Sequence, residues 1–245
     1  MDDATLDRLL LDLASPDPSV RDDVALSRLA EAVESGALGS HQLERTGAIL
    51  TTRLQHPDIW ARSFAPLVLG VLADAGTSRE EWVRAMCRWY PEETDLRGHH
   101  PELGWLHAVA HGADGLAAYG RARSSDPGLL LATLAARLVA PTDVVWHDQE
   151  DDRVAHALAT VLTDPRLDGS DAVRWLEPVS HLLTTGEPGP LPARVTNTLH
   201  TLRSLSVALE HELLVGGEPA AVPHRDAVRR AVTAALRPPT AWMWR

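Results

Sequence analysis

The sequence predicts an all-α protein built as an array of antiparallel helix pairs. Helix-start signals recur along it, with proline placed just inside the first turn at Asp17-Pro18, Pro57 and Asp126-Pro127. Apolar residues between these signals follow helical spacing, as in Ile59, Trp60, Phe64, Leu67, Val68 and Val71. Strand signals are scarce. Asp143-Val144-Val145-Trp146 reads as a short strand and equally as a loop.

The elements follow in order. Pro18 opens a helix that Gly36 closes. Ser40 caps one that ends near Gln55. Pro57 opens the next, which stops before Gly76. Thr77-Ser78-Arg79-Glu80 has the capping-box pattern ahead of Trp82, Met86 and Trp89, and Pro91 ends that helix. Asp126-Pro127 opens a helix to Val139, stopped by Pro141. Further helices cover 151–163, 170–185, 192–215 and 223–236. Pro178 kinks or splits the second of these, and Gly216-Gly217 ends the third. The segments Asp17-Pro18-Ser19-Val20-Arg21 and His56-Pro57-Asp58-Ile59-Trp60-Ala61-Arg62 stand about 40 residues apart, the period of HEAT-type pairs. The chain resembles a HEAT-like array over most of its length, the alternative being an irregular helical bundle. The breaks at 91–102, 140–150 and 186–191 force no boundary, so residues 1–245 read as one domain.

Composition narrows the function. With 245 residues and 44% hydrophobic content, a large core is available. No apolar run reaches the roughly 18 residues that span a bilayer. The acidic N-terminus lacks the apolar region of a secretory signal. Cys87 is the single cysteine, which excludes an intramolecular disulfide and fits a reducing, cytoplasmic setting. Its expected role is a buried structural thiol. The net charge of −11 argues against nucleic acid as a partner. All 23 basic residues are arginine, so Schiff-base chemistry and a P-loop lysine are excluded. No nucleophile elbow or dinucleotide fingerprint is present. Most of the eight tryptophans are expected in the core, with Trp242 and Trp244 docking back into a groove.

The polar residues of interest form three islands. His107, His111 and Asp114 have the spacing of one helix face. Gly104, Ala108, Gly112 and Gly115 form a small stripe beside them, which suits close packing. The spacing of His107 and His111 is that of metal ligands on a helix, and a divalent transition metal, zinc or iron, fits such a set. Ala108 stands where a zincin has glutamate, which disfavours that chemistry. Three ligands on one straight helix would span about 10 Å of rise. Two from this helix with one from Asp95, His147 or Glu150 are easier to join. The competing reading is a solvated face or a hydrogen-bonded core network. Glu150 and Asp151 open a helix, where the dipole alone favours acids, or act as a general base. Arg97 and Arg153 pair with carboxylates or bind an acidic group. Trp105 and Trp146 wall a pocket or pack in the core.

Three segments, Asp95-Leu96-Arg97-Gly98, Gly104 through Asp114, and Gln149-Glu150-Asp151-Asp152-Arg153, together resemble an uncharacterised bacterial family, a domain of unknown function. The family's segments are Asp-Leu-Arg-Gly, Gly-Trp-x-His-x-x-Ala-His-x-Ala-Asp and an acidic run ending in arginine. The match covers roughly residues 60–165. The resemblance implies a shared site more than a named activity. The catalytic candidates are His107, His111, Asp114, Glu150 and Asp151. The ligand-binding candidates are Asp95, Arg97, Trp105, Trp146, His147 and Arg153. Asp95, His107, His111 and one of Glu150 or Asp151 are expected to line one cavity. Two functions stay open. One is a pocket for a small ligand or metal ion, with acid–base or metal-dependent catalysis. The other is a scaffold for a protein partner. Neither calls for nucleic acid or a membrane.

Overall fold

The computed structural model describes residues 1–185 and 189–243. Among them are twelve α-helices: α1 Asp3–Asp12, α2 Ser27–Glu34, α3 Ser40–Arg53, α4 Ile59–Asp74, α5 Glu80–Glu92, α6 Ala108–Arg121, α7 Pro127–Val139, α8 Glu150–Val161, α9 Asp171–Arg174, α10 Leu176–Thr184, α11 Ala193–Ala208 and α12 Arg225–Leu236. A wide-turned π-helical segment, Ser19–Leu26, runs into α2. Two small hairpins pair β1 His99–His100 with β2 Gly104–Trp105, and β3 Leu213–Val215 with β4 Glu218–Ala220. No helix among the described residues is long and apolar enough to cross a membrane.

The helices stack in two layers. One runs α2, α4, α6, α8, α11, each packed on the next. The other runs α3, α5, α7, α10 in the same way. Contacts α3 on α4, α5 on α6 and α7 on α8 join the layers. From α2 to α8, consecutive helices lie in opposite layers. This is the all-α, HEAT-like array that the sequence predicts. One contiguous hydrophobic core runs through it.

The loose sequence repeat has a structural counterpart. Arg21 donates from Nη1 to the carbonyls of Ser15 (3.0 Å) and Pro16 (3.4 Å). Arg62 donates from Nη1 to those of His56 (2.6 Å) and Pro57 (2.8 Å). In each case the guanidinium reaches five and six residues back and closes the loop before its own helix. The two turns are solved by the same interaction.

The small stripe lets α6 lie close to α5 of the other layer and to α4 of its own. A Cβ on Gly112 would lie 2.3 Å from the Tyr90 ring, and one on Gly115 would lie 2.7 Å from the Pro66 carbonyl oxygen. Gly70 of α4 faces Ala118 and the Gly115 backbone of α6 at 3.1 and 3.3 Å on the same measure. Tyr90 also donates its hydroxyl to the Val109 carbonyl (2.9 Å). Gly104 is not part of this stripe. It lies in β2 with φ +70°, a conformation that glycine adopts without steric cost.

Other departures have local causes. Asp126 caps α7 as expected, accepting from the Leu129 N–H (3.0 Å). Thr77 does not cap α5. Its N–H is bonded to Leu72 O (2.8 Å) and that of Gly76 to Ala73 O (3.0 Å), the Schellman closure of α4. With Thr77 engaged there, α5 starts at Glu80 without a side-chain cap. Gly39, not Ser40, precedes α3 as its cap, and the Gln42 side chain accepts from its N–H (3.0 Å). Pro178 has no N–H for Arg174 O, and the chain divides there into α9 and α10. Gly216 and Gly217, both at positive φ, form the β3–β4 turn instead of a helix end. Residues 143–146 are not a strand. The Asn197 side chain accepts from the Trp146 N–H and donates to Val144 O, both at 3.0 Å, which replaces a ladder partner. Trp242 does not dock, being 84% exposed, and Trp244 lies outside the described residues.

Replacing Gly112 by leucine is expected to destabilise the fold toward the upper end of about 1–3 kcal/mol, because the Tyr90 and Trp89 rings occupy the space. Urea unfolding measures it. An unchanged midpoint would show that α5 and α6 are not held at this distance.

Candidate functional site

Two of the three sequence islands turn out to be arms of one hairpin. Leu106 N–H donates to Gly98 O (2.8 Å) and His107 N–H to Arg97 O (3.2 Å). These bonds extend the β1–β2 pairing back to the Asp95–Gly98 segment. The hairpin delivers His107 to the start of α6. His107 does not share the α6 face with His111 and Asp114, as its spacing suggested. It is the residue before the helix, held at φ 47° and ψ 30°. Its ring still meets His111, with centroids 5.6 Å apart and planes at 85°.

Across from it lies Glu150, the first residue of α8, only 1% exposed. Glu150 Oε2 accepts from the Asp148 N–H (2.8 Å). Oε1 stands 4.0 Å from His107 Nε2. Both of these atoms are buried, and neither has a hydrogen-bond partner. Asp148 in turn accepts from the His99 N–H (2.9 Å), which fastens the hairpin to the start of α8. Gly98 makes this docking possible. A Cβ there would fall 2.1 Å from Glu150 Oε1 and 2.3 Å from Asp148 Oδ2.

His111 is fixed in tautomer. Its Nδ1 lies 3.0 Å from the Ser63 carbonyl, an acceptor only, so Nδ1 carries the proton and Nε2 the lone pair. Its ring packs edge-on against Phe64 (4.7 Å). Phe64 also carries the fully buried Arg21 guanidinium at 4.7 Å, and Trp60 lies 5.8 Å from it. Arg21 further pairs with Asp22 (3.1 Å) and reaches Trp105 O (3.4 Å). Trp105 is 43% exposed, with its ring against His107 (4.3 Å) and His99 (4.8 Å).

Burial sets the protonation. Desolvation pushes His111 down to about 3, and the neighbouring His107 adds to this. Desolvation also lowers His107. It raises Glu150, with further repulsion from Asp148 and Asp151. Both imidazoles are therefore neutral at pH 7, and neither supplies Glu150 with a counter-charge.

The remaining candidates take other positions. Asp114 forms a two-point ion pair with Arg153, one contact at 2.9 Å. Asp95 is taken up by Arg97 at 2.7 and 2.6 Å and makes no contact with the His107–Glu150 pair. Asp151 faces His200 of α11 (3.6 Å). The expected convergence thus joins His107, His111 and Glu150, and leaves out Asp95 and Asp151. Trp146 is buried at 4% exposure, its indole N–H unpartnered, and His147 is exposed. Cys87 is half-buried, and its desolvation raises the thiol. Among the described residues no three His, Cys, Asp or Glu side chains stand together as a metal-ligand set, so His107 and His111 gain no third ligand.

Arg21, Phe64, Ser63, Gly98 and Asp148 were not among the candidates. Arg21 carried a signal, since it occupies the same place as Arg62 in the repeat. A cleft of about 850 Å³ between α7, α9 and α10, with Arg166, Arg174 and Trp175 in its wall, also holds none of the sequence candidates.

The chain belongs to a family described as a protein of unknown function (DUF2785), whose match spans residues 50–207. That span contains the hairpin, His107, His111, Glu150 and Arg153. No functionally curated protein matches the sequence. Among solved structures, a designed armadillo repeat protein, YIII(Dq)4CqI, aligns over 96% of this chain and 99% of its own, at 14% identity and a TM-score of 0.38. The repeat architecture rests instead on the helix order and packing described above.

The His111 shift fixes a pH dependence. Its pKa is about 3 in the folded state against 6.5 as reference. Below pH 6.5 the unfolded chain takes up a proton that the folded chain refuses. The stability linked to His111 is complete above pH 6.5 and is lost as pH falls toward 3. From pH 7.5 to 5.0 the expected loss is about 2 kcal/mol, with His107 adding in the same direction. His111→Gln keeps a donor for Ser63 O and does not titrate, so its loss over this interval should be smaller by that amount. Equal losses by urea unfolding would show that His111 takes up protons freely in the fold.

Proposed function

We propose that this protein binds a small hydrogen-bonding molecule where α6 and α8 begin, with the helical array as a rigid support. One observation carries this reading. His107 Nε2 and Glu150 Oε1 face one another at 4.0 Å, both buried and both unpartnered. That separation exceeds the roughly 2.7–3.2 Å of a direct hydrogen bond. A buried polar atom left unpaired costs about 1–3 kcal/mol, and one donor group seated beside the pair relieves that cost at both atoms.

Backbone strain gathers at the same place. Three non-glycine residues among those described have positive φ, and two of them, His107 and Gln149, flank this pair. Such outliers collect at ligand sites, where surrounding structure holds them. The exposed ring of Trp105 adds an aromatic wall beside the gap. Carboxyl and imidazole are also the residue types of general acid–base catalysis, and an occupant of the gap lies between them.

A thermal-shift screen of small polar molecules tests the reading on wild type, His107→Ala and Glu150→Gln. Glu150→Gln should be at least as stable as wild type, because it removes a buried acid that desolvation makes costly to ionise. Hits on the wild type should vanish in both variants. If every hit survives both substitutions, the site is not where ligands bind.

A further inference from the structure

We propose that the occupant of this gap is a primary ammonium group, and that the protein binds small organic amines. The proposal depends on the ligand site described above and names its ligand class. Glu150 is a carboxyl group at 1% exposure whose ionisation burial disfavours without a cation nearby, and among the described residues the one basic side chain within 4.0 Å of it is His107. A buried carboxylate is ordinarily paired with a cation. His107 does not serve, because burial favours its neutral form. Arg153 on the same helix is bound to Asp114, Arg97 to Asp95, and Arg21 to Asp22. Asp148 and Asp151 add negative charge around Glu150.

The spacing selects the group. With its proton on Nδ1, neutral His107 presents a lone pair at Nε2, and the carboxylate oxygen facing it is an acceptor as well. A single donor atom about 2.9 Å from each would sit about 2 Å off the line joining them and subtend an angle near 90°. An ammonium has three N–H bonds, so it can donate to both and still carry the missing charge. A hydroxyl has one proton and cannot donate to both. A primary amide has two N–H bonds and no charge. A quaternary ammonium has the charge and no N–H. A metal ion fits the spacing poorly. With bonds near 2.1 Å, two ligand atoms 4.0 Å apart would subtend about 145°, far from tetrahedral or octahedral angles. The ring of Trp105, against His107 at 4.3 Å and 43% exposed, offers its face to the carbon chain next to the ammonium. The net charge of −11 favours the approach of a cation.

The test compares four probes of one chain length: n-butylamine, n-butanol, butyramide and butyltrimethylammonium. Melting temperatures and calorimetric titrations of the full chain are recorded in phosphate buffer at pH 7.5, with zinc chloride as a separate arm in an amine-free, non-chelating buffer. n-Butylamine should raise the melting temperature of wild type and have no effect on Glu150→Gln. The other three probes should give at least tenfold weaker binding or none. Trp105→Ala changes an exposed residue and should keep the fold, and it should weaken butylamine roughly five- to tenfold. The proposal is overturned if butylamine gives no shift, or if its shift persists in Glu150→Gln. Equal Glu150-dependent binding of butanol or butyramide would leave the ligand site standing and discard the ammonium. A zinc shift that requires both His107 and Glu150, without an amine shift, would assign the pair to metal.

Discussion

The close approach of α4 and α6 is the constraint on which the rest depends. Gly70, Gly115 and Ala118 let the two backbones meet at distances that larger side chains forbid. Most residues of both helices are buried, so sterics set their separation, and the Arg121–Asp74 ion pair (3.0 Å) joins them near their C-terminal ends. That position brings the Ser63 carbonyl of α4 within 3.0 Å of His111 on α6. The hydrogen bond then decides the imidazole tautomer. A backbone packing choice thus ends as a choice of which nitrogen bears the proton.

A second layer of control comes from the hairpin. Its two arms hold His107 in a left-handed conformation just before α6, while Gly98 lets the backbone lie against Glu150 and Asp148. The Asp148 contact to the His99 N–H ties the same hairpin to α8. The His107–Glu150 separation is therefore set by a loop pinned at both sides and not by free side-chain rotation. On the outer side, Arg21 links the first helices to Phe64 and to the Trp105 carbonyl. Three successive helices of one layer, α4, α6 and α8, contribute to one polar line.

Much of the fold was legible because its signals are local. Asp126-Pro127 begins α7 as read, since the cap and its target lie three residues apart and nothing competes. Thr77 failed for the opposite reason: the α4 closure takes its backbone before it can cap α5. Gly216-Gly217 gives the same dipeptide for a helix end and a hairpin turn, and the strands on either side decide. In the site, the types His107, His111 and Glu150 were legible from composition and spacing. Their geometry was not. Helical periodicity assumed that His107 was inside α6, and no spacing rule reports a left-handed residue at its edge. Asp114 looked like a site residue because it is polar in an apolar stretch, and Arg153 because it closes the acidic run at the start of α8. Their bond to each other lies 39 positions apart, a distance at which sequence carries no pairing information.

The energetics of the pair explain why such a site can persist. An unpaired buried carboxylate is costly. Glu150 sits at the first position of α8, where the free N–H groups of the helix supply partial positive charge. The Asp148 N–H satisfies Oε2 directly. Together they hold the carboxylate in place without neutralising it, which leaves Oε1 open. Had Arg153 bonded to Glu150, the charge would be cancelled and the gap closed. Asp114 occupies Arg153 instead, on the neighbouring helix, so one ion pair between α6 and α8 keeps another from forming. The extensive apolar core elsewhere bears the cost of that arrangement.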